Sequence, residues 1–198
     1  MRLALVLALV AAPALARPVA IPVATKTVTF ELPEGWVQSF EQATDKAFIR
    51  GYVPPAGSGE GNQMITLTVT RNLAGIPTLS LLDFAQFGLG ALQAQCAGDS
   101  KFEVVSEDYT IADRPALGLF LSCANTTGTD TGRHEETLFI AFRGPTDFYA
   151  LQWIERTEPT EAASAYDADH WGMRARVLSG TARICDLAEG QTAPPPCP

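Results

Sequence analysis

The sequence predicts an α+β domain: a twisted antiparallel sheet of about six to seven strands with helices packed on it. Three observations predict it. Short segments of alternating apolar and polar residues recur along the chain, and turn chemistry joins them closely enough for consecutive hairpins. Only two stretches change to helical periodicity, one in the middle and one near the end.

Taken in order, residues 1–16, MRLALVLALVAAPALA, carry one basic residue (Arg2), an apolar run from Leu3 to Ala12, and Ala14 and Ala16 at signal-peptidase spacing. The run is too short for a membrane span, so it reads as a secretory signal cleaved near Ala16, with an uncleaved anchor as the competing reading. A proline-bearing leader, 17–25, precedes a single domain expected over 26–185, and a Pro-rich tail occupies 186–198. Within TVTFELPEGW (27–36), Val28 and Phe30 alternate with Thr27 and Thr29 to give a first strand, and Pro33 and Gly35 predict a type I turn with proline at its second position. AFIRGYV (47–53) and QMITLTVT (63–70) predict a hairpin around the Gly-rich loop PPAGSGEGN, with Ile65, Leu67 and Val69 on its buried face.

The period then changes. Ser80 and Asp83 stand as a capping pair before a helix to Cys96, whose inner face is Leu81, Ala85, Gly88 and Leu92. Gly88 and Gly90 weaken this helix and point either to close packing on the sheet or to a ligand-facing groove. Strands follow at about 102–111, 115–124, 136–143 and 148–155, joined by ADRP, NTTGTDTGRH and GPTD. In the last of them, Phe148, Ala150, Gln152 and Ile154 take one face and Tyr149, Leu151 and Trp153 the other. Both faces are largely apolar, which predicts a central strand covered by a helix on each side. A final helix is expected from Thr160 as cap to about Leu178.

Charge and cysteines bound the function. With 14 basic against 22 acidic residues and a net charge of −8, the surface opposes nucleic acid and anionic membranes. No later apolar run is long enough for a membrane span, so a periplasmic or secreted location is expected after cleavage. Four cysteines in an exported chain read as disulfides. Of the three possible pairings, context favours Cys96 with Cys123, helix end to strand, and Cys185 with Cys197, which ties down the tail. Zinc is the competing reading, opposed by the absence of CxxC spacing and of nearby histidines.

The strand ending in LPEGW, the hairpin with a Gly-rich tip, the SLLDFAQ helix and the strand closing on IADRPA come in an order that resembles the PsbP-like and Mog-like fold group over about residues 26–180. That group includes accessory subunits of photosystem II, a Ran-binding protein of nuclear transport and exported bacterial relatives. The resemblance implies an antiparallel sheet between helices, an α/β/α sandwich, and binding of other proteins without a shared active site. Two departures stand out: Ala112 where the group more often has glycine, and the cysteines, which are not a group feature.

For chemistry, YDADHW places Asp167 and His170 at helical spacing i, i+3, close enough to share a metal or a proton. The plainer reading puts Tyr166, His170, Met173 and Val177 on one helix face against the sheet while Asp167 faces water. His134 in RHEET lacks the second histidine of HExxH, since position 138 is Leu138, and reads as a loop histidine beside two surface glutamates. No GxSxG elbow, GxxxxGK loop or strand-borne GxGxxG occurs. The expectation is therefore an exported, non-catalytic accessory module with an unidentified protein partner and no cofactor; the oligomeric state is not encoded in any pattern of the sequence. A binder of a small apolar ligand and a hydrolase with an unrecognised site are the alternatives.

Overall fold

The computed structural model describes residues 17–57, 62–127, 132–187 and 196–198; the expected signal, residues 1–16, and most of the expected tail lie outside these. Ten strands and two helices follow one another: β1 (Arg17–Val23), β2 (Lys26–Leu32), β3 (Val37–Ala43), β4 (Ala47–Val53), β5 (Gln63–Thr70), α1 (Leu81–Gln93), β6 (Ser100–Ile111), β7 (Arg114–Cys123), β8 (His134–Arg143), β9 (Phe148–Thr157), α2 (Ala168–Gly180) and β10 (Arg183–Asp186). Seven strands form an antiparallel sheet in the order β3-β4-β5-β9-β8-β7-β6, and β1-β2-β10 form a second sheet of three.

Strand alternation generates two cores, one on each face of the large sheet. On one face Phe84, Ala85 and Leu89 of α1 meet Leu117, Leu119, Leu121, Phe139, Ala141, Phe148 and Ala150. On the other, Trp171, Ala175 and Leu178 of α2, with Val28, Phe30 and Leu32 of the small sheet, meet Phe120, Leu138, Ile140, Phe142, Tyr149, Leu151 and Trp153. The expected central strand is β9, which lies between β5 and β8 and contributes to both cores. Each large apolar side chain buried in this way contributes about 1.5–3 kcal/mol.

Helix α1 begins as its sequence predicts. Ser80 accepts from the Asp83 N–H at 3.0 Å and the Asp83 carboxylate accepts from the Ser80 N–H at 3.0 Å, a complete capping box. A Cβ on Gly88 would stand 3.1 Å from Phe139 Cζ, so this glycine lets the helix approach the sheet. Gly90 faces open space and has no such reason.

Several expectations are corrected. The leader 17–25 is instead mostly strand β1, paired with β2 from Arg17↔Leu32 to Val23↔Lys26. Pro18 and Pro22 hid it, because a proline fits a strand only where its nitrogen faces away from the ladder. Strand β3 was not anticipated, since VQSFEQA has no two-residue period and every residue in it is exposed. The turn after β2 has Pro33 at its first position, with the Trp36 N–H donating to the Pro33 carbonyl at 3.3 Å and Gly35 at φ 81°. Positive φ at the third position makes this a type II turn, not type I. Helix α2 starts eight residues later than Thr160, capped by Asp167. Between them the backbone donates across the molecule: Ala163 N–H to Asp99 (3.1 Å), Ser164 N–H to Ser122 (2.9 Å) and Tyr166 N–H to Glu103 (3.1 Å). These tertiary bonds satisfy the groups a helix would have used.

Disulfides join Cys96 to Cys123 and Cys185 to Cys197. The first fastens the chain beyond α1 to the end of β7; the second fastens β10 to residue 197, whose N–H donates to Thr29 at 2.9 Å.

Between β6 and β7, Ala112 (φ 51°) and Asp113 (φ 60°) form a two-residue turn with positive φ at both positions, the type I′ geometry. Neither residue is glycine, and left-handed backbone costs a side-chain-bearing residue about 1–2 kcal/mol. Asp113→Gly is therefore expected to stabilise the fold by up to about 1 kcal/mol in denaturant unfolding, with an unchanged or lower midpoint as the contrary result.

Burial, reinforced by the nearby Asp147 carboxylate, pushes the Tyr149 phenol far above its ordinary value of 10.0. A phenol raised in the folded state ionises first in the unfolded chain, so its contribution is intact below pH 10 and is lost as pH rises beyond it. Stability should fall by up to about 1.4 kcal/mol per pH unit above pH 10 from this group, and Tyr149→Phe should flatten that slope in unfolding curves measured from pH 9 to 11.

Candidate functional site

The type II turn delivers Trp36 to the surface of the large sheet, where its ring meets Trp153 of β9 edge-on, centroids 5.4 Å apart. Both indoles are almost fully buried, yet each contributes a wall to a pocket of about 220 Å³ lined also by Pro33, Gln63 and, from α2, Met173, Arg174 and Val177. Met173 is 54% exposed at its mouth. A groove of about 510 Å³ continues on the other side of Trp36, between β1 (Arg17–Ala20) and Val37, Gln38, Arg50 and Tyr52.

Arg174 stiffens one side of the pocket. Its guanidinium lies 5.2 Å from the Trp153 ring centroid and 5.4 Å from that of Trp171, a cation over two aromatic faces. Its Nε donates to Glu155, and Nη1 donates to the His170 carbonyl at 3.1 Å. The other carboxylate oxygen of Glu155 lies 3.0 Å from His170 Nε2. Both Glu155 oxygens are thus occupied, one by an arginine and one by an imidazole.

The sequence candidates Asp167 and His170 sit close together without forming a shared site. Asp167 is the N-cap, and its carboxylate accepts from the N–H groups of Asp169 (2.9 Å) and His170 (3.1 Å), while the His170 ring turns to Glu155. The fully buried residues of α2 are Trp171, Ala175 and Leu178; of the expected Tyr166–His170–Met173–Val177 line, Tyr166 and Val177 pack partly buried against the same core, while Met173 is exposed and His170 turns to Glu155. Among the described residues, no group of three or more His, Cys, Asp or Glu side chains converges to hold a metal ion.

His134 corrects a second expectation. It opens β8 as a buried residue, and the neighbouring Glu135 is buried too, bonded to Arg156 Nε at 2.7 Å. His134 Nδ1 lies 3.1 Å from Thr160 Oγ1, and Nε2 lies 3.1 Å from Glu136 and 3.2 Å from Ser164 Oγ. Ser164 and Glu136 meet the same nitrogen, Nε2, whereas a serine relay needs hydroxyl and carboxylate on opposite ones, and the Thr160 hydroxyl on Nδ1 donates its own proton to the Ala162 carbonyl at 2.9 Å. The cluster pins the segment before α2 to the sheet. Sequence reasoning missed it because Thr160 and Ser164 lie 26 and 30 residues away along the chain.

A disulfide-fastened α+β domain with an aromatic surface pocket is the class that fold and site define. No family model matches the chain, and no curated protein matches it in sequence. Solved structures do match. The Ran-binding protein Mog1p of Saccharomyces cerevisiae is 12% identical with a TM-score of 0.47, covering 82% of this chain and 85% of its own. LpqN of Mycobacterium tuberculosis, described as involved in cell envelope biogenesis, is 16% identical with a TM-score of 0.46, over 86% of this chain and 90% of its own. The cyanobacterial PsbP of Synechocystis is 13% identical with a TM-score of 0.45, over 83% and 95%. Mog1p and PsbP bear the names of the fold group that the order of turn, hairpin and helix resembles. At these identities the likeness is one of fold, and no residue role passes with it.

Glu155→Gln should leave Arg174 against a neutral amide over two indoles, and a loss of about 1–3 kcal/mol in unfolding free energy is expected. An unchanged midpoint would show that the cluster stabilises nothing. Addition of Zn²⁺ to the native protein should leave its melting temperature unmoved, since Asp167 is engaged as a cap.

Proposed function

We propose that this chain is an exported, non-catalytic accessory module of the bacterial envelope that binds another protein through the Trp36–Trp153–Met173 pocket. The observation that carries the reading is the pocket itself: about 220 Å³, walled by two indoles and a half-exposed methionine, with an arginine held in place beside them. That volume is below the roughly 300–1,000 Å³ of sites that enclose whole ligands, and suits one large apolar side chain of a partner. Tryptophan and arginine are also the residue types on which binding energy concentrates at interfaces.

Two supports concern setting and chemistry. The pair of disulfides suits an oxidising compartment. The ionisable groups nearest the pocket, Glu155, His170 and Arg174, are bonded to one another, which leaves no poised acid, base or nucleophile beside it.

The test compares wild type with Met173→Glu as immobilised baits for native envelope extract, with the exported chain's intact mass measured alongside. Met173 is exposed, so the variant should fold and melt like the wild type. The expected result is one partner retained by the wild type and reduced at least about tenfold by the variant, a difference of about 1.4 kcal/mol. Equal recovery by both baits, or no specific recovery, removes the reading; a mass that retains residues 1–16 removes cleaved export.

A further inference from the structure

Four strands stand at the edges of the two sheets: β3 and β6 in the large one, β1 and β10 in the small one. An edge strand carries a row of unpaired N–H and C=O groups, and proteins blunt such rows with prolines, charges, bulges or short length. Strand β1 carries Pro18 and Pro22, and β10 has only four residues, with Arg183 and Asp186 at its ends. Strand β6 carries Lys101, Glu103, Glu107 and Asp108, and its register shifts twice.

Strand β3 is the least protected of the four. Its sequence, VQSFEQA, holds no proline and no lysine, and its one charge, Glu41, accepts from Arg50 Nε at 2.7 Å. Its single irregularity lies between Gln38 and Phe40; beyond it, residues 40–43 pair without a break with β4. A Cβ on Gly51 would stand 2.1 Å from Phe40 Cε1, so that ring lies across β4 and not over the free edge. Every residue of β3 is exposed, Val37 at 53% and Phe40 at 42%.

Beside this edge runs the groove of about 510 Å³. Phe30 of β2 seats the small sheet there, meeting Tyr52 of β4 edge-on with centroids 6.1 Å apart. Gln38 lies opposite Tyr52 in the ladder, so both side chains face the small sheet. The groove walls are largely apolar, with Val19, Leu32, Trp36 and Tyr52 among them, and both ionic groups that line it are arginines. Arg50 is balanced by Glu41, whereas Arg17 forms no ion pair among the described residues. In a chain of net charge −8 this groove is locally cationic.

We propose that β3 takes up an extended segment of a partner protein, apolar with an acidic side chain, as an added strand of the large sheet. Main-chain hydrogen bonds along the edge supply affinity. Alternate side chains entering the groove, one of them a carboxylate toward Arg17, supply specificity. This surface shares only Trp36 with the Trp36–Trp153–Met173 pocket, and Met173→Glu leaves it unchanged.

The full disulfide-bonded chain is titrated with the blocked peptide acetyl-Thr-Val-Glu-Val-Thr-Val-Thr-amide, followed by amide chemical shifts. Its lysine-for-glutamate counterpart and the acidic peptide N-methylated throughout are titrated alongside. Saturable shifts in β3 and in residues 17–20 are expected from the acidic peptide, with a dissociation constant below about 1 mM. The lysine peptide should bind at least about tenfold more weakly, and the N-methylated one, which has no N–H to donate to a ladder, should not bind. Arg17→Gln should narrow the acidic preference to less than about threefold, and Gln38→Glu should weaken the acidic peptide at least about tenfold. Both variants should melt like the wild type because both side chains are exposed. No saturable shift, equal binding of the N-methylated peptide, or equal binding of the two charged forms overturns the proposal. So does a chain that sediments as a dimer dissolved by Gln38→Glu, which gives the edge to a second copy.

Discussion

Everything in this molecule depends on β7, β8 and β9 being apolar on both faces. A strand of that kind is stable only when both faces are covered, so the large sheet requires two covering layers. Helix α1 is one; α2 together with the three-stranded sheet is the other. The capping box, the glycine that lets Phe139 approach α1, and the hydrogen bonds that hold residues 163–166 against β6 and β7 all serve to seat those covers. Beneath the second cover, the end of β9 lifts Trp153 to the edge of the core, where Trp36 closes on it and the pocket forms.

What could be read from the sequence follows from range. Hairpins whose period and turns are local were legible: β4 with β5, and the run β6 to β9. So was the double-sided burial of β9, because FYALQWI alternates two apolar sets. Strand β1 was hidden by its prolines and β3 by its polar composition, and nothing local announces that β2 leaves the large sheet to pair with β1 and β10. Helix α2 was placed too early for the same reason: the partners that hold residues 163–166 in extended form are Asp99, Ser122 and Glu103, more than forty residues upstream.

The candidate site divides in the same way. Trp36 and Trp153 were visible as large aromatics near strands, but their meeting at 5.4 Å joins positions more than a hundred residues apart. Asp167 and His170 were visible as a pair because helical spacing is local; what separates them is a cap on one side and Glu155 on the other. Local pattern thus overstated a pair of neighbours and understated His134, whose ring is held by Thr160 and Ser164 of one distant segment.

The three-stranded sheet has β2 at its centre, flanked by β1 from the start of the domain and β10 from its close. During synthesis from the amino terminus, the β1–β2 ribbon emerges early, while the strand that covers its open side comes last. A lone two-stranded ribbon is marginal in water, so this layer waits for Arg183–Asp186 before it becomes stable. The sheet is therefore complete only when both ends of the domain are present, and the Cys185–Cys197 bond fastens β10 to residue 197. A chain truncated before residue 183 would keep its large sheet sequence intact and still lack the strand that pairs with β2, leaving that edge open to pairing with another chain.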